Sequence, residues 1–408
     1  MTEAQAPPPA ETPEGPPPSF AARYALYQRA GGVITPLLTA LLAFFVGGLV
    51  VLVTTGKNPL STYQAIFDGT GLNWLFPWVR GNERTLASED LQQTLILTTT
   101  LILVGIAVAF AFRCGLFNIG GQGQYIAGLI AASQVGILMP DLPHVPHVVL
   151  AAGAGALAGA VWGGIAGLLK AVAGVHEVIA TIMLNWIALW IGSYLVGFEG
   201  PLQDPAQVFV PVTEEVSQGA KLDVFWGPPA PQGLHIGFFV ALAALVVFWI
   251  VLNRTTLGFG VRAVGFNPEA ARYGGIGVGR NFFLAMAISG AFAGLAGSMD
   301  ILGWLFRVDL TSVQISSQIA FMGIAVALLG RNTAVGVFFG ALLFGALING
   351  ASTRNLDPEV FQPELAGNLT LIIQGLVVLF VGADLLILYL WRLRRKVRRR
   401  TPEPAVQQ

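Results

Sequence analysis

The 408-residue chain is 54% apolar and only 11% charged, and its charges balance to a net charge of zero. An average soluble domain is about 25% charged, so the composition excludes a soluble globular protein and indicates a polytopic membrane protein. A single cysteine excludes an internal disulfide, and four dispersed histidines offer no metal-ligand cluster.

In chain order, residues 1–29 form a proline-rich tail that cannot bury a core and is expected to be disordered and cytosolic. Residues 30–392 form one all-α transmembrane domain, in which apolar runs of about 20 residues predict about ten spans. The predicted spans are 33–54, 91–112, 118–138, 148–169, 178–198, 235–252, 282–301, 314–330, 334–350 and 367–390. Residues 393–408 form a basic cytosolic tail.

The distribution of Lys and Arg sets the predicted orientation. With ten spans and a cytosolic N-terminus, sixteen basic residues lie inside and six outside. Both termini are therefore predicted to be cytosolic, as is the loop 253–281. Segments 55–90 and 199–234 are predicted to be external, and the proline-rich segment 199–234 is predicted to be an irregular loop.

Glycines at a spacing of four mark the fourth and seventh spans. The fourth span carries Gly155, Gly159, Gly163 and Gly167, and the seventh carries Gly290, Gly294 and Ser298. Such a stripe lies near one helix face and lets another backbone approach closely. Static packing is the favoured interpretation over a moving contact.

Amide side chains stand among glycines at the break between the second and third spans. Asn118, Gln122 and Gln124 form either a solvated cytosolic turn or a broken helix that lines a solute path. Amides both donate and accept, which suits neutral, hydroxyl-rich or base-like solutes. Asn185 in the fifth span is an interhelical hydrogen-bond partner or a pathway residue. The predicted pathway set is Asn118, Gln122, Gln124, Asn185, Gln314 and Ser317.

Three acids bear on a possible coupling ion or proton. Glu177 is predicted at a helix start, where the helix dipole favours a carboxylate, and a proton relay would need it deeper. Asp300 and Asp384 are the candidates for a membrane-embedded cation site. Asp384 is interpreted first as an acid paired near Arg392.

The loop 253–281 contains a short helix signature between two spans. Asn267 suits the N-cap and Pro268 the first helical position, and Gly274 with Gly275 ends the helix. The loop is either an ordinary basic connector or a docking helix for a soluble partner. The predicted docking set is Asn267, Pro268, Glu269, Ala270, Ala271, Arg272, Tyr273 and Gly274.

Three motifs in this order resemble the permeases of bacterial ABC importers in the branched-chain amino acid and simple-sugar group. They are GLFNIGGQGQ (115–124), HEVIATIMLN (176–185) and TTLGFGVRAVGFNPEAARYGGI (255–276). The resemblance is closest to the nucleoside branch, which depends on a basic membrane lipoprotein. It covers roughly residues 30–392, and His176 replaces the usual Asn of the second motif.

The resemblance implies a type II importer fold and a nucleoside or simple-sugar permease in the bacterial inner membrane. It also implies a second, paralogous permease subunit, two cytosolic ATPase subunits and an extracytoplasmic binding lipoprotein or receptor. No phosphate-binding or catalytic motif occurs in the chain, so it is not predicted to be an enzyme. It is expected to bind no cofactor, with ATP and Mg²⁺ on the partner. Membrane lipid is a predicted partner and nucleic acid is not. The alternatives are an ion-coupled secondary transporter and, third, a structural or receptor-type membrane protein.

Overall fold

The computed structural model describes residues 41–53, 56, 58–229 and 233–352, and the single positions 371, 372, 375, 376 and 379. Both predicted tails, most of the tenth predicted span and Asp384 lie outside the described residues.

The described residues are mostly helical. The helices are α1 Leu41–Val53, α2 Pro59–Gly69, α3 Asn82–Arg113, α4 Gly121–Leu138, α5 His144–Ala173, α6 Glu177–Val196, α7 Gly237–Arg254, α8 Thr256–Phe266, α9 Pro268–Tyr273, α10 Val278–Asp300, α11 Leu310–Leu329 and α12 Ala334–Gly350. Short 3-10 turns cover Leu72–Leu75 and Gln218–Ala220, a π-helix covers Ile301–Leu305, and strands β1 Val224–Trp226 and β2 Leu234–His235 pair antiparallel.

A helix coincides with each of the first nine predicted spans, and the short helix α9 lies where the loop signature placed it. Among the described residues, five helices are long and apolar enough to cross a membrane: α3, α5, α6, α7 and α10 with its π-helical extension. Shorter apolar helices accompany them. The chain is thus a polytopic helical membrane protein, while the count of ten spans and the orientation of the termini stay predictions.

Helix α3 is the central helix of the described bundle. Its 32 residues make it about 48 Å long, and every residue from 101 to 111 is buried. Helices α7, α10, α11 and α12 surround it. A helix that is apolar all round needs neighbours on every side, and this arrangement supplies them.

Helices α5 and α10 pack backbone against backbone along the two glycine stripes. A Cβ added at Gly159 would lie 2.3 Å from the Gly290 carbonyl oxygen, and one at Gly294 would lie 2.3 Å from the Gly155 carbonyl oxygen. A third helix joins them, because a Cβ at Gly128 of α4 would lie 2.3 Å from Gly294 O. The prediction of a backbone-close neighbour is confirmed, and the neighbour is the second stripe.

The segment between α6 and α7 is fixed to the residues that follow α10. The Arg307 guanidinium contacts the carboxylates of Asp204 and Glu215, each at 3.3 Å. The backbone N–H of Leu222 donates to Leu302 O at 2.8 Å. Strands β1 and β2 pair antiparallel. The prediction that segment 199–234 is irregular did not include this pairing. Two strands of three and two residues carry too little alternation to be seen in sequence.

Candidate functional site

The connection between α3 and α4 returns to membrane depth before α4 begins. Asn118 Nδ2 donates to Ser289 Oγ at 2.7 Å, and Ser289 lies about 17 Å along α10 from Val278 at 1.5 Å per residue. Asn118 is only 1% exposed. The amide motif is therefore a buried helix break, and the interpretation as a solvated turn is wrong.

Asn118 and Gln124 satisfy each other's amide groups. Asn118 Nδ2 donates to Gln124 Oε1 at 2.9 Å, and Gln124 Nε2 donates to Asn118 Oδ1 at 3.1 Å. Asn118 Oδ1 also accepts from the backbone N–H of Gly120 at 2.8 Å, and Ser289 Oγ donates to Ala107 O at 2.6 Å. A polar network inside a membrane protein is stable when its groups find partners, so these two amides hold the break together.

Asn185 caps the same break from α6. Its Nδ2 donates to Ile119 O at 2.8 Å, and its Oδ1 accepts from the backbone N–H of Gly123 at 2.9 Å. One side chain thereby satisfies a carbonyl and an N–H that the interrupted helix leaves open. Of the two interpretations of Asn185, the geometry favours the interhelical hydrogen-bond partner.

Gln122 differs from its neighbours in the motif. It is 9% exposed and its amide has no hydrogen-bond partner among the described residues. Beside it, a Cβ at Gly123 would lie 2.7 Å from Trp162 Nε1, and that indole N–H is buried without a partner in the described part of the chain. Trp162 was not singled out from the sequence, since a tryptophan in an apolar helix gives no pathway signal. A polar group without a hydrogen-bond partner in the protein can bind a solute without first breaking a bond within the protein.

The structure does not bring Gln314 to this cluster. Gln314 is an exposed residue near the start of α11, next to Val313, which packs on Gly192 of α6. Gly192 lies about 10 Å along α6 from Asn185. Ser317 lies in α11, and its side chain is outside the described set.

Asp300 is a buried acid enclosed by three donors. It is 2% exposed and accepts from Thr100 Oγ1 at 2.5 Å, Tyr125 Oη at 2.6 Å and Trp304 Nε1 at 3.2 Å. These side chains belong to α3, α4 and the π-helix, so one carboxylate joins three elements to α10. Its oxygens are occupied by protein donors, which does not favour a coupling-ion site there.

Glu177 lies at the helix start, as predicted. It is the first residue of α6, and its Oε2 accepts from Lys170 Nζ at 2.7 Å. This ion pair between the ends of α5 and α6 gives Glu177 a structural partner, and the deeper position that a proton relay needs is absent. Among the residues that the structure describes, no group of three His, Cys, Asp or Glu side chains could hold a metal ion.

Helix α9 has the caps that its sequence indicates. Asn267 Oδ1 accepts from the backbone N–H groups of Glu269 at 3.0 Å and Ala270 at 3.1 Å, and Pro268 is the first helical residue. Gly275 adopts a φ of +79°, which ends the helix in the left-handed region that glycine favours. Helix α8, which precedes α9, was not predicted. Together they form a rigid helical corner between α7 and α10.

The surface of this corner carries two aromatic rings. Phe266, just before the N-cap of α9, is 90% exposed, and Tyr273, the last residue of α9, is 92% exposed. Ala271, by contrast, is 5% exposed, so its side chain supports the helix and is not available to a partner. Phe266 was missed from the sequence because it precedes the N-cap, where a hydrophobic residue usually packs against the helix.

Several known proteins similar to the chain are transporter permeases. A family model described as the permease component of branched-chain amino acid transport systems matches residues 91–382. The chain is 37% identical to the guanosine ABC transporter permease NupP of Bacillus subtilis, over 91% of this chain and 99% of that protein. It is 32% identical to the nucleoside ABC transporter permease NupB of Lactococcus lactis, over 87% of this chain and 92% of that protein. It is 35% identical to the glucose ABC transporter permease TsgB13 of Haloferax volcanii, over 85% of this chain and 86% of that protein. No solved structure matches the chain.

Proposed function

Because the chain belongs to the permease-component family of branched-chain amino acid transport systems, we propose that it forms the path by which an ABC importer takes up a nucleoside or a related simple sugar. As such a permease it is a multi-pass protein of the bacterial inner membrane and works with an ATPase and a substrate-binding protein. The family is one of transporters and not of enzymes. In the proposal, ATP and Mg²⁺ bind to the ATPase subunits.

One observation supports the part of the proposal that concerns docking of the ATPase subunits. Helix α9 is short and capped at both ends, and it carries Phe266 before its N-cap and Tyr273 as its last residue, each at least 90% exposed. Two exposed rings on a rigid corner cost free energy in water and fit a groove on a soluble partner. The proposed docking surface consists of these two rings with Glu269, Ala270 and Arg272.

The nucleoside class is proposed because NupP and NupB are both named for nucleosides, while TsgB13 is named for glucose. In the path itself, Gln122 is the proposed contact. Its amide can donate to and accept from a base or a sugar hydroxyl, and a transient site of this kind lets the solute leave. A second, paralogous permease subunit completes the proposed path, and the binding lipoprotein selects the solute.

Uptake by cells tests the substrate class. A strain that lacks this permease would be supplied with the chain and its partner subunits, and radiolabelled guanosine uptake would be competed with unlabelled uridine, ribose and glucose. We expect competition by nucleosides. If glucose alone competes, the proposed substrate class would change from nucleosides to sugars. Uptake that persists when the ATPase subunit is deleted would contradict the ABC mechanism.

A pair of variants tests the docking surface. Tyr273→Ala and Phe266→Ala should leave membrane insertion unchanged, while ATPase subunits no longer co-purify and uptake is lost. Phe239→Ala is the matched control, because Phe239 is an exposed aromatic (53%) at the opposite end of α7. Normal ATPase association in both test variants would show that this corner is only a charged connector.

The proposed topology has a direct test as well. With Cys114 replaced by Ser, a cysteine at Phe209, which is 93% exposed between α6 and α7, should react with an impermeant thiol reagent in intact cells. A cysteine at Tyr273 should react only after the membrane is opened. The reverse pattern would invert the predicted orientation.

A further inference from the structure

An open apolar groove runs between α7 and α12 on the outer surface of the bundle. Leu242, Val246 and Trp249 of α7 face Val335 and Phe338 of α12 across a cavity of about 560 Å³. All seven lining residues are apolar, and Val335 is 69% exposed. A groove that no described residue fills, on a surface this apolar, indicates a hydrocarbon ligand.

Arginines mark one end of the groove. Trp249 lines it, and the Arg254 guanidinium carbon lies 5.3 Å from the centroid of the Trp249 ring. Arg331 is exposed and comes three residues before Ala334, the first groove residue of α12. The end with the arginines is the cytosolic end under the orientation that the Lys and Arg distribution predicts.

The two helices that form the groove contribute no acid. Neither α7 nor α12 contains an Asp or Glu residue, and Arg254 is the last residue of α7. Basic pockets between helices on the cytosolic side attract anionic lipid headgroups. Cation–π contact holds the Arg254 guanidinium over the ring of Trp249, which lines the groove.

We propose that the groove binds one anionic phospholipid of the cytosolic leaflet. An acyl chain lies against Val246, Trp249, Val335 and Phe338, and the phosphate is bound by Arg254. Helix α8 begins two residues after Arg254. The headgroup therefore lies at the base of the helical corner that carries α9.

Bound-lipid measurements on the assembled transporter test the proposal. The purified complex would be exchanged into phosphatidylglycerol or phosphatidylcholine nanodiscs, and lipid retained after transfer to detergent would be counted by native mass spectrometry. We expect one retained phosphatidylglycerol per copy of this chain. Val335→Trp should abolish retention by filling the groove, and Arg254→Gln should lower it about fivefold.

Two controls separate this site from general lipid contact. Ile187→Trp alters an apolar residue of α6 with 47% exposure, and Arg280→Gln removes an exposed arginine at the start of α10; neither should change retention. Equal retention of phosphatidylcholine, or unchanged retention in Val335→Trp, would overturn the proposal. Loss of a protein subunit from Val335→Trp complexes would overturn it too, because the groove would then be a protein interface.

Discussion

Asn118 and Asn267 make the same local bond in two different regions. Each side-chain oxygen accepts from the backbone N–H two residues further on, Gly120 in one case and Glu269 in the other. Asn118 is 1% exposed and bonded to two further side chains. Asn267 is exposed, and water can replace its bonds. The same capping bond is therefore part of the buried core at Asn118, whereas at Asn267 it stabilises only the short helix α9.

The comparison teaches that the surroundings of a polar group decide its role. Around Asn118 the partners are Gln124 of α4, Ser289 of α10 and the backbone N–H of Gly120, so removing the amide leaves several groups unsatisfied where water is absent. Around Asn267 the chain leaves rings and charges exposed, so the region can bind a partner. Polar, glycine-rich sequence is common to both regions.

The largest expected effect comes from Asn118→Leu. The variant leaves the Gly120 N–H and both the Oε1 and the Nε2 of the Gln124 amide without these partners inside the bundle, where each lost hydrogen bond costs on the order of several kcal/mol. Folded protein recovered from membranes should fall to a small fraction of the parent amount, measured by size exclusion of a fluorescent fusion. Gln122→Leu should be recovered normally and should lower uptake per molecule. If Asn118→Leu also folds normally, the network is not structural.

The glycine stripe extends the comparison within a single helix. A Cβ at Gly159 meets the Gly290 carbonyl oxygen at 2.3 Å, whereas a Cβ at Gly153 meets no described atom within 4 Å. Gly159→Ala should therefore force α5 and α10 apart and lower the thermal midpoint of the purified complex. Gly153→Ala should leave it unchanged or raise it slightly, since alanine favours a helix by about 1 kcal/mol. Equal midpoints would mean that the helices can separate at little cost.

His235 is a third side chain that accepts from the backbone N–H two residues on, that of Gly237 at 3.2 Å. It is 1% exposed, and burial lowers its pKa from 6.5 to about 4. The unfolded chain takes up this proton near pH 6.5 and the folded chain only near pH 4. Stability is therefore lost as the pH falls through this window, by about 3 kcal/mol at most.

Thermal midpoints of the parent and of His235→Gln at pH 7 and pH 5 would measure this effect. We expect the parent to lose more stability than the variant between the two values, because only the parent carries the buried imidazole. Other groups titrate in both proteins and cancel in the difference. Parallel losses would place the pH sensitivity elsewhere.

The sequence predicted elements well and partners poorly, for a physical reason. Apolar length alone locates the helices, and Asn267 with Pro268 is a local signal that needs no tertiary contact. The bonding of Asn118 to Ser289 joins residues 171 positions apart, which no local pattern reports. The sequence thus located the amide motif. It did not show that Asn185 and Gln124 form their hydrogen bonds within the protein, which leaves Gln122 as the amide without a partner among the described residues. The burial of Ala271 and the exposure of Phe266 were likewise not predictable, because they depend on which side of α9 faces the bundle.

The smallest expected effect, Asn267→Ala, tests the exposed side of the comparison. Loss of an N-cap costs about 1 kcal/mol, and this cost falls on α9 alone because water solvates the freed N–H groups of Glu269 and Ala270. The thermal midpoint should stay at the parent value, while hydrogen exchange across residues 267–275 should become severalfold faster and fewer ATPase subunits should co-purify. Asn253→Ala is the matched control, since Asn253 is an exposed asparagine near the same loop that bonds only the Trp249 carbonyl oxygen of its own helix. If Asn267→Ala lowers the recovery of folded protein as much as Asn118→Leu does, the two asparagines stabilise the fold equally. The contrast between the two regions would then be wrong.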